Sequence, residues 1–153
     1  MGDYFMKKKV LAIASGGGHW VQLLKLRAAF AGHEVQYLTT HAGYRSEVDG
    51  LVHVVTDANM WQKLRLLIMF FEVLKVLLIY RPDVVITTGA APGFAAIMMG
   101  RILGARTIWV DSIANSEELS SSGRHARRWA SAWLTQWEHL AGDDGPEYWG
   151  AIL

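Results

Sequence analysis

The segment Ser15-Gly16-Gly17-Gly18-His19 sets three glycines and an imidazole where an apolar run, Lys8 to Ala14, gives way to a helix-like one, His19 to Phe30. Small residues at a helix mouth leave amide N–H groups free to hold an anion such as a diphosphate. A histidine at that mouth is suited to general-base chemistry near neutral pH. The same residues also suit a tight turn that His19 merely caps. Two familiar phosphate motifs do not fit. The dinucleotide fingerprint needs glycine at position 21, where valine stands, and no Lys-Ser or Lys-Thr follows the glycines as a P-loop requires.

Two further segments have the same character. Thr87, Thr88, Gly89, Ala90 and Ala91 lead into Pro92-Gly93, a second helix mouth built from small residues, which reads either as another anion site or as a compact turn. In the third, Asp111 ends an apolar run beside Ser112, Asn115, Ser116 and Glu117. Its carboxylate would orient a hydroxyl or a histidine, or cap the turn that follows. Arg124, Arg127 and Arg128 suit phosphate or acidic lipid headgroups, and equally a solvated helix face. The six histidines show no His-x-x-x-His spacing, so no protein-bound metal is expected, and no cofactor.

The elements that must position these residues alternate. Strands are expected at Lys8 to Ala14, Glu34 to Leu38, Leu51 to Val55, Pro82 to Thr87 and Ala105 to Asp111. Helices are expected at His19 to Phe30, Asn59 to Tyr80 and Pro92 to Gly104, the last opened by proline and closed by glycine. Beyond them, Gly123 to Ala130 reads as helical and Ala132 to Trp137 as a strand, although Trp129, Trp133 and Trp137 also suit helical spacing. The tail from Gly142 reads as a turn followed by an apolar end. Such alternation implies an α/β fold, a single Rossmann-like, doubly wound parallel sheet. The strand carboxyl ends then lie along one edge, where ligands bind. All three unusual segments follow strands, so they should gather there.

Composition narrows the classes. The 153 residues suit one domain, 1–153. A hydrophobic share of 52% against 19% charged excludes disorder and implies some apolar surface. A net charge of +1 makes no case for nucleic acid as a partner. The absence of cysteine excludes disulfides and thiol catalysis. The lysines before the first apolar run imitate a signal peptide, but the run is short and ends in glycines, so it reads as a strand. The most apolar region, Asn59 to Tyr80, is interrupted by Arg65, Glu72 and Lys75, whereas a bilayer span wants roughly 20 apolar residues in succession. On a helical wheel Gln62, Arg65, Glu72 and Lys75 form a narrow polar stripe, and Leu67, Phe71, Leu74 and Leu78 centre a wide apolar face. That helix belongs in a core or subunit interface, or against a membrane surface with help from Lys63, Arg65 and Arg81.

Four stretches, "VLAIASGGGHWVQLLKL", "RPDVVITTGAAPGFAAIMMGRILGARTIWVDS", "SSSGR" and "LTQWEHLAGDDGPEYWGAIL", stand in the order and spacing of one family. Together they make nearly the whole chain, Lys8 to Leu153, resemble the Alg14 family, whose bacterial members include the PssD-type capsule and exopolysaccharide proteins. The resemblance implies the acceptor-side, membrane-associated half of a two-chain GT-B glycosyltransferase, similar to the amino-terminal domain of MurG enzymes. It also implies a small Alg13-like or PssE-like partner that holds the UDP-sugar, an expectation with which the single Rossmann-like pattern read here agrees. The acceptor would be a lipid-diphosphate-linked saccharide, and the location the cytoplasmic, inner face of the cell membrane, held peripherally.

By that resemblance Ser15, Gly16, Gly17, Gly18, Thr88, Gly89, Ala90, Gly93, Ser112 and Asn115 would line the acceptor and its diphosphate. His19 would be the general base, oriented by Asp111. Trp61, Arg65, Phe70 and Phe71 on the long helix, with Gln136 and Trp137 at the end of a strand, are expected to meet the partner or the membrane. From chemistry alone Trp137 also suits a core. Many relatives have Glu-Ser followed by an arginine where this chain has Asp111-Ser112 and then Asn115, so the acceptor contacts there are expected to differ. Eukaryotic members carry an amino-terminal anchor without counterpart here, which leaves attachment to the long helix. The alternative function is a non-catalytic scaffold that recruits the partner enzyme to the membrane.

Overall fold

A computed structural model describes residues 6–152. β1 (Lys9–Ile13), β2 (Glu34–Thr39), β3 (Val52–Val54), β4 (Val84–Thr87), β5 (Arg106–Val110), β6 (Ala132–Thr135) and β7 (Glu147–Tyr148) form one sheet in the order β3-β2-β1-β4-β5-β6-β7. Every pairing is parallel. Strands covered on both faces read as unbroken apolar runs, and β1 does so: Leu11 and Ile13 join one core, Val10 and Ala12 the other.

The helices are α1 (Gly18–Lys25), α2 (Lys63–Tyr80), α3 (Ala90–Ile102) and α4 (Ser121–Ala126). Trp20 and Leu23 of α1 pack in the core of one face, and α2, α3 and α4 supply the core of the other. The sheet is thus doubly wound. The chain first works outward from β1 to β3, then α2 carries it back across to β4 on the other side of β1. That reversal makes the β1/β4 crevice the topological switch point, where ligands of open α/β sheets bind.

Several boundaries differ from the sequence reading. α1 stops at Lys25 and continues as a 3-10 turn, Leu26–Phe30, ended by Gly32 at φ 80°. α2 starts at Lys63, because Asn59 to Gln62 form their own turn through Gln62 N–H to the Asn59 carbonyl and Trp61 N–H to Asn59 Oδ1. α4 begins early because Ser120 caps it, its Oγ accepting the Gly123 N–H at 2.8 Å. Ala132 to Thr135 is a strand, so the tryptophan spacing carries no helix there. β7 lies in the tail that reads as a turn, its two residues too few to make a pattern.

α2 divides its apolar surface between the core and the outside. Its buried residues are Met69, Val73, Val76, Leu77 and Tyr80, while Leu67, Phe71 and Leu78, central to the expected apolar face, are exposed with Leu64 and Ile68. A helix apolar on almost every side gives the wheel no unique core stripe. Contacts with α3 choose the face, and Glu72 turns inward to accept the Thr56 N–H at 2.6 Å and hydroxyl at 3.2 Å. Among the described residues no helix is long and apolar enough to cross a membrane.

Candidate functional site at the switch point

The segments after β1, β4 and β5 lie side by side on the carboxyl edge, as the order of the strands requires. At the first, Gly17 precedes α1 with φ 67° and ψ −136°, and no side chain caps the helix. That left-handed φ is strained for any other residue type. A Cβ on Gly18 would meet no atom within 4 Å, so no packing demands glycine there and the space beside the helix mouth stays open. The first-turn N–H groups of a helix have no intrahelical acceptor and, uncapped, offer themselves to an anion.

The second segment is bolted to the first. Thr88, fully buried, donates its hydroxyl to the His19 carbonyl at 2.7 Å, and the His19 Nδ1 lies 2.8 Å from the Thr88 carbonyl. A carbonyl only accepts, so Nδ1 carries a proton, and whenever the ring holds only that one proton Nε2 is bare. His19 is half-buried, and Nε2 has no partner among the described residues. Gly89 at φ 127° lets the ring come close; a Cβ there would sit 2.9 Å from His19 Cε1. α3 likewise begins without a side-chain cap, and Ala90 holds a left-handed φ of 68°. Gly93 was expected at the ligand but is buried against Thr87, whose side chain a Cβ would overlap. Its glycine serves helix-on-strand packing.

The third segment is bonded within itself. Asp111, 2% exposed, accepts from Trp109 Nε1 at 3.1 Å, Asn115 Nδ2 at 3.1 Å, Ser120 N–H at 3.0 Å and Ser120 Oγ at 2.6 Å. It fastens its loop to the start of α4, and the Thr88 carbonyl, not Asp111, orients His19. Ser112 is buried and its Oγ accepts from Gln22 Nε2 at 3.0 Å and the Ala114 N–H at 3.2 Å. Asn115 is spent on Asp111. Of the residues expected at the acceptor, the structure sets Thr88 and Gly89 against His19, with Ser15, Gly16, Gly17 and Gly18 leading directly into it and Ala90 following Gly89. The side chains of Ser112 and Asn115 are engaged in loop structure.

Gln136, expected on a contact surface, is 3% exposed. Its amide donates to Gln22 Oε1 at 2.7 Å and to the Asp111 carbonyl at 2.9 Å, and its Oε1 accepts the Ile152 N–H at 2.9 Å. Trp137 is half-buried and donates to the Ile113 carbonyl at 2.8 Å. Both thus hydrogen-bond carbonyls of the third segment. On α2 and the turn before it, Trp61 and Phe71 do face outward, 91% and 59% exposed. Arg65 is exposed and donates to the Asp57 carbonyl at 3.0 Å. Phe70 instead packs against the core. Sequence reasoning missed Gln22 and, above all, Tyr44, whose hydroxyl accepts the Gly17 N–H at 2.9 Å. No local signal connects residues 27 positions apart.

No protein-family model matches the chain, and no curated protein matches it in sequence. Solved structures do match. MurG from Acinetobacter baumannii superposes with a TM-score of 0.75 at 15% identity, over 92% of this chain and 45% of that one. A UDP-N-acetylglucosamine 2-epimerase from Rickettsia bellii gives 0.71 at 13% identity, over 95% and 45%. A glycosyltransferase from Rickettsia africae gives 0.68 at 13% identity, over 95% and 43%. The chain spans less than half the length of each, and at these identities the likeness is one of fold. The chain has a Rossmann-like α/β fold, a single parallel sheet with flanking helices, that matches GT-B glycosyltransferase-like folds.

Proposed function

We propose that this chain is the acceptor-side half of a two-chain glycosyltransferase of the Alg14/PssD type. The observation that carries the reading is His19: Nδ1 donates to the Thr88 carbonyl and Nε2 stands unpartnered at the uncapped mouth of α1. The acceptor, a lipid-diphosphate-linked saccharide, lies over the glycine segment with its diphosphate on the amides of α1. Its hydroxyl oxygen attacks the anomeric carbon of a UDP-sugar, and the bond from that carbon to the UDP oxygen breaks. The hydroxyl proton passes to His19 Nε2, and UDP leaves with the electron pair. The segments Ala14 to Gly18, Thr88 to Gly89 and Asp111 to Ser120 contain no lysine or arginine. A second, Alg13-like or PssE-like chain therefore holds the donor and neutralises the departing diphosphate. The setting is surface polysaccharide assembly at the inner face of the membrane.

The exposed row Trp61, Leu64, Leu67, Ile68 and Phe71 favours a second reading, a scaffold that brings a complete partner enzyme to the bilayer. One experiment separates the two. Co-express the chain with its donor-binding partner, supply lipid-diphosphate saccharide in vesicles, and measure transfer from a panel of UDP-sugars. Transfer that needs both chains supports the split enzyme. Full turnover by the partner alone on a soluble acceptor would leave this chain as a scaffold.

A further inference from the structure

We propose that Tyr44 is a diphosphate-binding and loop-positioning residue of the site, an inference that rests on the transferase reading above. Tyr44 lies in a 3-10 turn, Ala42–Ser46, between β2 and β3. His41 sets the turn, its Nδ1 accepting the Gly43 N–H at 3.2 Å and its carbonyl the Tyr44 N–H at 3.3 Å. The turn delivers the Tyr44 ring flat onto Trp20, with centroids 4.7 Å apart and planes 5° from parallel. Trp20 is itself buried, 1% exposed, and donates Nε1 to Glu47 Oε2 at 3.0 Å. Tyr44 and Glu47 thus grip α1 at Gly17 and at Trp20.

The hydroxyl has two jobs available. It accepts the Gly17 N–H at 2.9 Å, which holds that glycine in its left-handed conformation. A phenol that accepts still has a proton to give, and no acceptor for it exists among the described residues. The phenol is half-buried, and a Cβ on Gly16 would lie 3.5 Å from its oxygen, whereas a Cβ on Gly17 or Gly18 would meet no atom within 4 Å. Polarised by the Gly17 N–H, the O–H donates to a diphosphate oxygen resting on the α1 amides. This supplies a side-chain donor to segments that lack any cationic one.

The test is Tyr44→Phe, which keeps the stack on Trp20. In the two-chain enzyme the KM for the lipid-diphosphate acceptor should rise about tenfold, the worth of one hydrogen bond. The KM for the UDP-sugar and the melting temperature should stay unchanged, and amide exchange at Gly17 should quicken. An unchanged acceptor KM overturns the proposal, as does a parallel loss of both KM values with stability, which marks a structural role alone. If the wild-type pair transfers no sugar, the transferase reading fails. The chain by itself then decides the point: geranyl diphosphate phosphorus resonances should broaden with wild type and not with Tyr44→Phe, and equal broadening overturns the proposal.

Discussion

His19 and Thr88 exchange a pair of hydrogen bonds across the switch point, Nδ1 to carbonyl at 2.8 Å and hydroxyl to carbonyl at 2.7 Å. Both run between the segment after β4 and the first turn of α1, on adjacent strands 69 residues apart in sequence. They fix one tautomer and one ring direction. Removing the hydroxyl should be felt as stability, since it takes from the part-buried His19 carbonyl the donor it has beyond its own helix. Thr88→Val is expected to cost about 0.5–1.5 kcal/mol in urea unfolding, the net worth of one hydrogen bond. A cost near zero would mean that water or a shifted backbone satisfies the His19 carbonyl.

Gly93 was expected to touch ligand and instead touches Thr87. Gly93→Ala places a methyl group onto the Thr87 hydroxyl and should destabilise by about 1–3 kcal/mol through overpacking. The melting temperature reads this directly. A variant as stable as wild type would return Gly93 to the group of residues free to meet a ligand.

Asp111 binds its own loop. Asp111→Asn replaces an acceptor of side-chain and backbone donors by an amide that satisfies them only in part, so unfolding free energy should drop by about 1.5–3 kcal/mol. The His19 ring should hold its orientation, checked by the nuclear Overhauser contacts of its Cε1 proton to Gly89. Loss of those contacts with stability intact would restore the role of orienting His19 to Asp111.

The exposed apolar row beside α2 makes a separable prediction about membranes. Trp61→Ser with Phe71→Ser removes two outward rings, so stability should change little, while binding to anionic liposomes should fall at least about tenfold. Co-sedimentation measures it. Binding equal to wild type would remove this face from any membrane role.

Much of this was legible in the chain. β1, β2, β4 and β5 follow from short apolar runs bounded by glycine, proline or charge, and the alternation with helices brings the three loops to one edge. The glycines at 17 and 89 announce the left-handed turns that open the site. Long-range pairing was not legible. Nothing near Asp111 reveals that Ser120 and Trp109 saturate its carboxylate, and nothing near Gly17 points to Tyr44. Gln136 reads as a polar strand end, yet it is buried because Gln22 stands opposite to receive it. The sequence leaves the outward face of α2 open for a different reason: apolar residues on nearly every side leave the choice of face to tertiary contacts.

The central claim is that His19 removes a proton during sugar transfer, and His19→Ala in the assembled two-chain enzyme tests it most directly. Complex formation and both KM values should survive, while kcat falls by a factor of about 10²–10⁴, the usual worth of a positioned general base. A kcat within a few-fold of wild type, with the complex intact, would contradict the account.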